Sequence, residues 1–240
     1  MRDSTTPERV LAVGAHPDDI EFGCGATLAR WSRTGARVHL LVLTDGSKGS
    51  WDKTADLAGL AATRQREQRD AADALGATEV SFIGAVDGEL TVDRTTIEAV
   101  VAVIRQVRPT VMLGHDPWKR YRLHPDHRNA GWLTVDALVA ARDPHFFPAD
   151  GERPHRPDRL LLFEADEVDH LERVEAIDAS AKLAALACHR SQWHSTMGIE
   201  DGPHMATQRA AFEHRILEEL DTIGRALNAP AEGFKLLTDL

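Results

Sequence analysis

Cysteine is nearly missing from this chain: Cys24 and Cys188 are the only two in 240 residues. Two thiols give no disulfide framework and suit a reducing cytoplasm. Long apolar runs are missing too. None approaches the ~20 residues that a membrane-spanning helix needs. The opening stretch, Met1-Arg-Asp-Ser-Thr-Thr-Pro-Glu8, has no apolar signal core, so a secreted form is not expected. Positive charge is in deficit, with 28 basic against 38 acidic residues and a net charge of -10. The basic side chains are also interleaved with acids, as in Arg64-Gln-Arg-Glu-Gln-Arg-Asp70. That leaves no basic patch for nucleic acid and reads as a solvated acidic surface. No Walker sequence and no G-x-S-x-G elbow occur, and Gly23-Cys-Gly25 lacks the third glycine of a dinucleotide fingerprint. Phosphate-loop and serine-hydrolase chemistry are therefore disfavoured.

What is present is an alternation of strand and helix signals. Val10 to Gly14, Arg37 to Thr44, Glu79 to Ile83, Thr110 to Gly114 and Arg159 to Glu164 read as buried strands. Helical patterns fall at Gly25 to Arg33, Leu57 to Leu75, the stretch after Asp93, Asp126 to Ala141, Leu171 to Cys188 and Thr207 to Leu227. Asp93 is placed to cap its helix, and Gly76 to stop the one before it. Such alternation predicts a Rossmann-like α/β fold: a mostly parallel sheet of order 3-2-1-4-5, helices on both faces and a helical C-terminal extension. We expect one domain over 1–240, with a core at about 8–192 and the extension at about 193–240. Ligands in such a sheet sit beyond the carboxyl ends of the strands, at the switch between strands 1 and 4.

Two motifs follow those two strands. Gly14-Ala-His-Pro-Asp-Asp-Ile-Glu-Phe-Gly23 follows the first and Leu123-His-Pro-Asp-His127 the fourth. Either alone could be a helix cap or a turn. Opening into one crevice, they would gather His16, Asp18, Asp19, His124, Asp126 and His127. Catalytic zinc takes three His or carboxylate ligands and keeps a position for water. A further carboxylate can take the water's proton, and a further His can donate to a developing oxyanion or to the leaving amine. Helix phase puts His127 on a stripe with Gly131, Thr134, Leu138 and Ala141, where small residues allow close approach to the sheet. Arg64 lies on the core-facing stripe of Leu60, Ala71 and Leu75, where a charge is costly unless paired or at a pocket. Glu67, one turn away, is a candidate partner.

The residues Ala15-His-Pro-Asp-Asp19 and His124-Pro-Asp-His127 resemble the PIG-L/LmbE family of zinc-dependent N-acetylglucosaminyl deacetylases, which includes enzymes of mycothiol and bacillithiol synthesis. Weaker similarities are Arg64-x-x-Glu67 with Ala71-Ala72 and Leu75-Gly76, and His189-Arg-Ser-Gln192, so the resemblance spans positions 10 to 192. It implies that His16, Asp19 and His127 bind zinc, that Asp18 is the general base, that His124 polarises the amide carbonyl or the oxyanion and that Arg64 faces the substrate. Some members carry a tyrosine two residues before the first His of the second motif. Here that place is Arg122, with Tyr121 beside it. Tyr121 and Trp118, together with Trp51, are loop aromatics that could stack on a sugar.

The expected activity is removal of acetyl from an N-acetylated amino sugar or its conjugate, a small-molecule substrate, by a cytoplasmic enzyme, with a homo-oligomer left open and no nucleic acid or membrane partner. An amidase acting on a larger thiol-conjugate or natural-product amide keeps the same fold and metal. A non-catalytic metal-dependent binding module is the reading from another class, and mere binding would need neither Asp18 nor His124. The His-His-Asp set also suits iron(II) or cobalt(II). Substrate choice should lie in loops 45–56, 115–123 and 142–158.

Overall fold

The computed structural model describes residues 6–148 and 153–240. Its centre is a seven-stranded sheet of order β3-β2-β1-β4-β5-β7-β6. The strands are β1 (Arg9–Gly14), β2 (Arg37–Thr44), β3 (Glu79–Ala85), β4 (Val111–His115), β5 (Arg159–Phe163), β6 (His170–Arg173) and β7 (Ala231–Leu237). From β3 to β5 all pairings are parallel, including β1 with β4 through Val10–Val111 and Ala12–Leu113. The expected order 3-2-1-4-5 is found. The helices are α1 (Asp19–Arg33), α2 (Leu57–Leu75), α3 (Arg94–Val107), α4 (Pro125–Ala141), α5 (Ala176–Cys188) and α6 (Met205–Ile223). Among the described residues no helix is long and apolar enough to cross a membrane.

The parallel strands are buried on both faces because helices cover both. One core layer joins Val10, Ala12, Val38 and Leu40 to Leu28, Trp31, Ala71 and Leu75 of α1 and α2. The other joins Leu11, Val13 and Leu41 to Val100, Ile104, Leu133 and Ala137 of α3 and α4. Asp93 caps α3 as expected, accepting from the Thr95 and Thr96 amides, and Gly76 ends α2 at φ 70°.

The C-terminal stretch departs from the expectation of a purely helical extension. After α6 the chain returns as β7 and pairs antiparallel with both β5 and β6. The helix expected from Leu171 begins only at Ala176, because His170–Arg173 is a strand. Both strands are short and carry charge: Glu172 and Glu232 face each other in register. Glu232 is neutralised by Lys182 Nζ at 2.7 Å and accepts the Ala26 and Thr27 amides. Those amides are free because α1 is broken at Cys24 (φ -152°, ψ 18°), so Glu232 caps the resumed helix. The sequence pattern placed that helix's start at Gly25, where the second segment begins.

Candidate functional site

The site stands at the carboxyl ends of β1 and β4. The loop after β1 carries His16 and Asp18, α1 opens with Asp19, and the start of α4 carries His124, Asp126 and His127. Because β1 and β4 are neighbours, the two motifs share one cavity of about 620 Å³. Helix α4 comes close because Gly131 lies against the end of β4: a Cβ there would meet His115 O and Pro117 N at 2.8 Å.

Three donor atoms converge, one each from His16, Asp19 and His127, all within 4.8 Å of one another. His16 Nδ1 lies 3.3 Å from Asp19 Oδ2, and His127 Nε2 lies 3.3 Å from Asp19 Oδ1. The opposite nitrogen of His16, Nε2, is 3.1 Å from Asp126 Oδ2 and 3.2 Å from Asp87 Oδ1. A proton on Nε2 bonded to Asp126 leaves the Nδ1 lone pair for a metal. Burial alone would lower the His16 imidazole, but Asp126, Asp19 and Asp87 outweigh it and push it up to about 12. Burial lowers His127 to about 4, so that ring is neutral. With Arg122 donating to its Nδ1, the ring proton sits on Nε2 toward Asp19. Metal binding at Nε2 would move that proton to Nδ1 and leave Arg122 on Glu164 alone. Burial opposes ionisation of Asp19, yet the imidazoles of His127, His115 and His16 hold its carboxyl well below the ordinary range. Once the ion has displaced the second proton of His16, two imidazoles and one ionised carboxylate, amid further acids, fit a divalent metal in chemistry and in charge. Two further groupings, His16 with Asp87 and His124, and His115 with His127 and Glu164, share residues with this one.

Asp18 and His124 border the same cavity. Asp18 has φ 103°, a left-handed conformation. Burial raises its carboxyl to about 6 against the pull of Arg64. Arg64 is buried, donates to Gly46 O and Pro17 O, and lies 3.4 Å from Asp18 Oδ2. The expected pairing with Glu67 does not form, since Glu67 accepts from Ser191 N and Oγ instead. His124 caps α4, its Nδ1 accepting the Asp126 amide at 3.3 Å. Its ring proton therefore sits on Nε2. Burial and the nearby His16 keep it neutral.

The loop aromatics divide. Trp51 lines the cavity. Trp118 packs edge-on to Trp132 and, with Tyr121, lines a separate cavity of about 640 Å³ that also includes Asp116, Arg120, Asp166 and Lys235. Tyr121 is 86% exposed. Arg122 turns the other way, onto Glu164 at 2.6 Å and His127 Nδ1 at 3.0 Å.

Sequence reasoning missed several residues of the site. His115 ends β4 and stacks on His127 at 4.5 Å. Glu164 follows β5 and lies 3.3 Å from His115 Nδ1. Asp87 lies two residues beyond β3 and faces His16 Nε2. The available signal was position: each is a polar residue at or just beyond the carboxyl end of a parallel strand. Lys48, from the loop after β2, and Gln192 and Ser195, from the helical turns after α5, also line the cavity.

Residues 11–138 match the sequence model of the GlcNAc-PI de-N-acetylase (PIG-L) family. The chain is 33% identical over 189 residues to the diacetylchitobiose deacetylase of Thermococcus kodakarensis, an alignment covering 78% of this chain and 70% of that protein. It is 30% identical over 262 aligned residues to the 1D-myo-inositol 2-acetamido-2-deoxy-alpha-D-glucopyranoside deacetylase of Thermomonospora curvata, covering 85% of this chain and 86% of that one. Among solved structures, the N,N'-diacetylchitobiose deacetylase from Pyrococcus horikoshii, complexed with an inhibitor, superposes with a TM-score of 0.86 at 26% identity, over 97% of this chain and 84% of that chain.

Proposed function

Since the chain belongs to the GlcNAc-PI de-N-acetylase (PIG-L) family, we propose that it hydrolyses the acetamide of an N-acetylated amino sugar or sugar conjugate. The observation that carries this reading is the convergence of His16, Asp19 and His127 beside Asp18 and His124 in one cavity. His16, Asp19 and His127 would hold the metal, for which zinc is our choice and iron(II) or cobalt(II) the competitors. A bound metal supplies a water acidified toward neutral pH and a Lewis acid for the acetyl carbonyl.

The chain's own residues do the rest. Asp18, ionised and held by Arg64, takes the proton of the attacking water. His124 Nε2–H donates to the acetyl oxygen as negative charge builds there. The proton that Asp18 has gained then goes to the departing amine, so acetate and a free amino sugar leave. The N-termini of α1 and α4 both open on the site and favour the same developing charge. Arg64 shapes the floor through Asp18, and Trp51 offers a ring face at the cavity wall. Trp118 and Tyr121 would touch only a substrate long enough to reach the second cavity. A substrate of that length would be a conjugate or a larger amide, which keeps amidase action on a larger amide as the second reading. The two free cysteines fit a reducing cytoplasm.

The test is acetate release from N-acetylglucosamine, N,N'-diacetylchitobiose and an inositol conjugate, with bound metal measured on the same samples. Asp18→Asn should keep its metal and lose turnover by about 10²–10⁴-fold. His127→Ala should lose the metal. Full turnover in Asp18→Asn would sink the base assignment. Release of a larger acyl group, with no acetate from any sugar, would favour the second reading.

A further inference from the structure

Asp18 sits in a conformation that an L residue rarely adopts (φ 103°, ψ -27°), and only surrounding contacts can keep it there. Arg64 holds its side chain. Its main chain is held by something else. The Asp18 amide donates to Gln68 Oε1 at 3.1 Å. Gln68 Nε2 donates to Glu21 Oε1 at 2.6 Å. Glu21 Oε2 then faces His189 Nε2 at 3.5 Å. Glu21, Gln68 and His189 are all 0% exposed.

We propose that Gln68, Glu21 and His189 form a buried positioning relay, which fixes the Asp18 main chain and so sets the aim of its carboxylate at the reacting water. Each link has one polarity. The Asp18 amide needs an acceptor, so the Gln68 carbonyl must face it and its NH₂ must face away. That NH₂ needs an acceptor in turn, which Glu21 supplies. The other carboxylate oxygen faces the His189 imidazole at 3.5 Å, an ion-pair contact rather than a hydrogen bond. The outer end is also anchored, because Ser191, two residues beyond His189, is bound through N and Oγ to Glu67, the neighbour of Gln68 on α2. Core packing alone does not call for this set. Glu21 Oε2 and both ring nitrogens of His189 lack a hydrogen-bond partner, an expensive way to fill apolar space. The residues come from three remote stretches and meet only behind Asp18.

The inference rests on reading Asp18 as the base, and the test separates the two. Metal-loaded protein is assayed for acetate release from N,N'-diacetylchitobiose, with kcat and KM resolved and bound metal measured. Gln68→Glu sets two carboxylates against each other. We expect kcat to fall by about 10–100-fold, as for other supporting partners of active-site groups, with KM and metal content near wild type. The exchange Gln68→Glu with Glu21→Gln restores one donor between the two side chains and one acceptor for the Asp18 amide, and should recover most of the loss. A purely structural role would not predict that rescue. If Gln68→Glu fails to fold, Gln68→Met is read in its place, with hydrogen exchange at the Asp18 amide as a readout independent of turnover; faster exchange is expected. Wild-type kcat and amide protection in the Gln68 variants, or an exchange pair no better than the single change, overturns the relay. Asp18→Asn is assayed in parallel. Lost turnover there beside intact Gln68 variants sinks the relay alone, whereas full turnover there sinks the base reading and the relay with it.

Discussion

Asp18 and Asp19 are adjacent and chemically alike, yet their surroundings push them apart. Asp19 looks into imidazoles and stays ionised, while Asp18 is buried against one guanidinium and rises to about 6. A similar division applies to the acids around His16. Asp126 Oδ2 is tied to the Gly88 amide at 2.6 Å and faces His16 Nε2, so in the proposed metal site it would fix which imidazole nitrogen is left for the ion. Asp126→Asn keeps the size but weakens that hold. We expect metal affinity to drop by about 10–100-fold in a chelator competition, with the metal still bound at saturation. Unchanged affinity would mean that Asp126 serves only the loop at Gly88. The motifs made His16, Asp19 and His127 legible. They could not show the role of Asp126, whose partners Gly88 and Leu90 lie more than 30 positions away.

At the scale of elements, α4 matters most, since it brings His124 and His127 to the sheet. Its approach depends on Gly131, and the helix phase read from sequence had already put that glycine on the His127 stripe. In Gly131→Ala the new methyl would press on backbone at His115 and Pro117, which cannot swing aside. Overpacking of this kind costs about 1–3 kcal/mol. Both the melting temperature and metal affinity should fall, and wild-type values for both would show that α4 has slack. Helix α3 offers a check on pH. The Thr91 hydroxyl and the Thr96 and Thr95 amides hold the Asp93 carboxyl below its ordinary range. A folded-state value lowered in this way adds stability above the ordinary carboxylate range, and that stability is lost as pH falls through the lowered value. The gap in melting temperature between wild type and Asp93→Asn should be widest near neutrality and close on acidification. A gap that persists in strong acid would assign the cap to geometry rather than charge. The break in α1 shows why element boundaries were only partly legible. The helical pattern starts at Gly25 because the turn before it is joined across a kink at Cys24, and what caps the second segment is Glu232, some two hundred positions away.

For the whole molecule, metal binding and folding should be coupled, because the donors come from two loops that only the folded sheet brings together. Metal at a hundred times its dissociation constant adds about 2.7 kcal/mol. For a chain of this size that raises the melting temperature by about 5–10 °C. Chelation should reverse the rise, Asp18→Asn should keep it and His127→Ala should abolish it. The same rise in His127→Ala would place the stabilising ion elsewhere.

By itself the sequence determined the five-strand parallel order, the two motifs and the crevice they share, because buried parallel strands and amphipathic helices write their periods into the chain. The tertiary structure alone decided the rest. It set β7 between β5 and β6, a pairing that depends on register with distant strands rather than on local pattern. It turned Arg122 onto Glu164 and His127 while leaving Tyr121 exposed. It also put Glu21, Gln68 and His189 in line behind Asp18. Hydrogen bonds and ion-pair contacts between residues so far apart leave no spacing to read, because only the packed α1, α2 and the end of α5 bring these groups within reach.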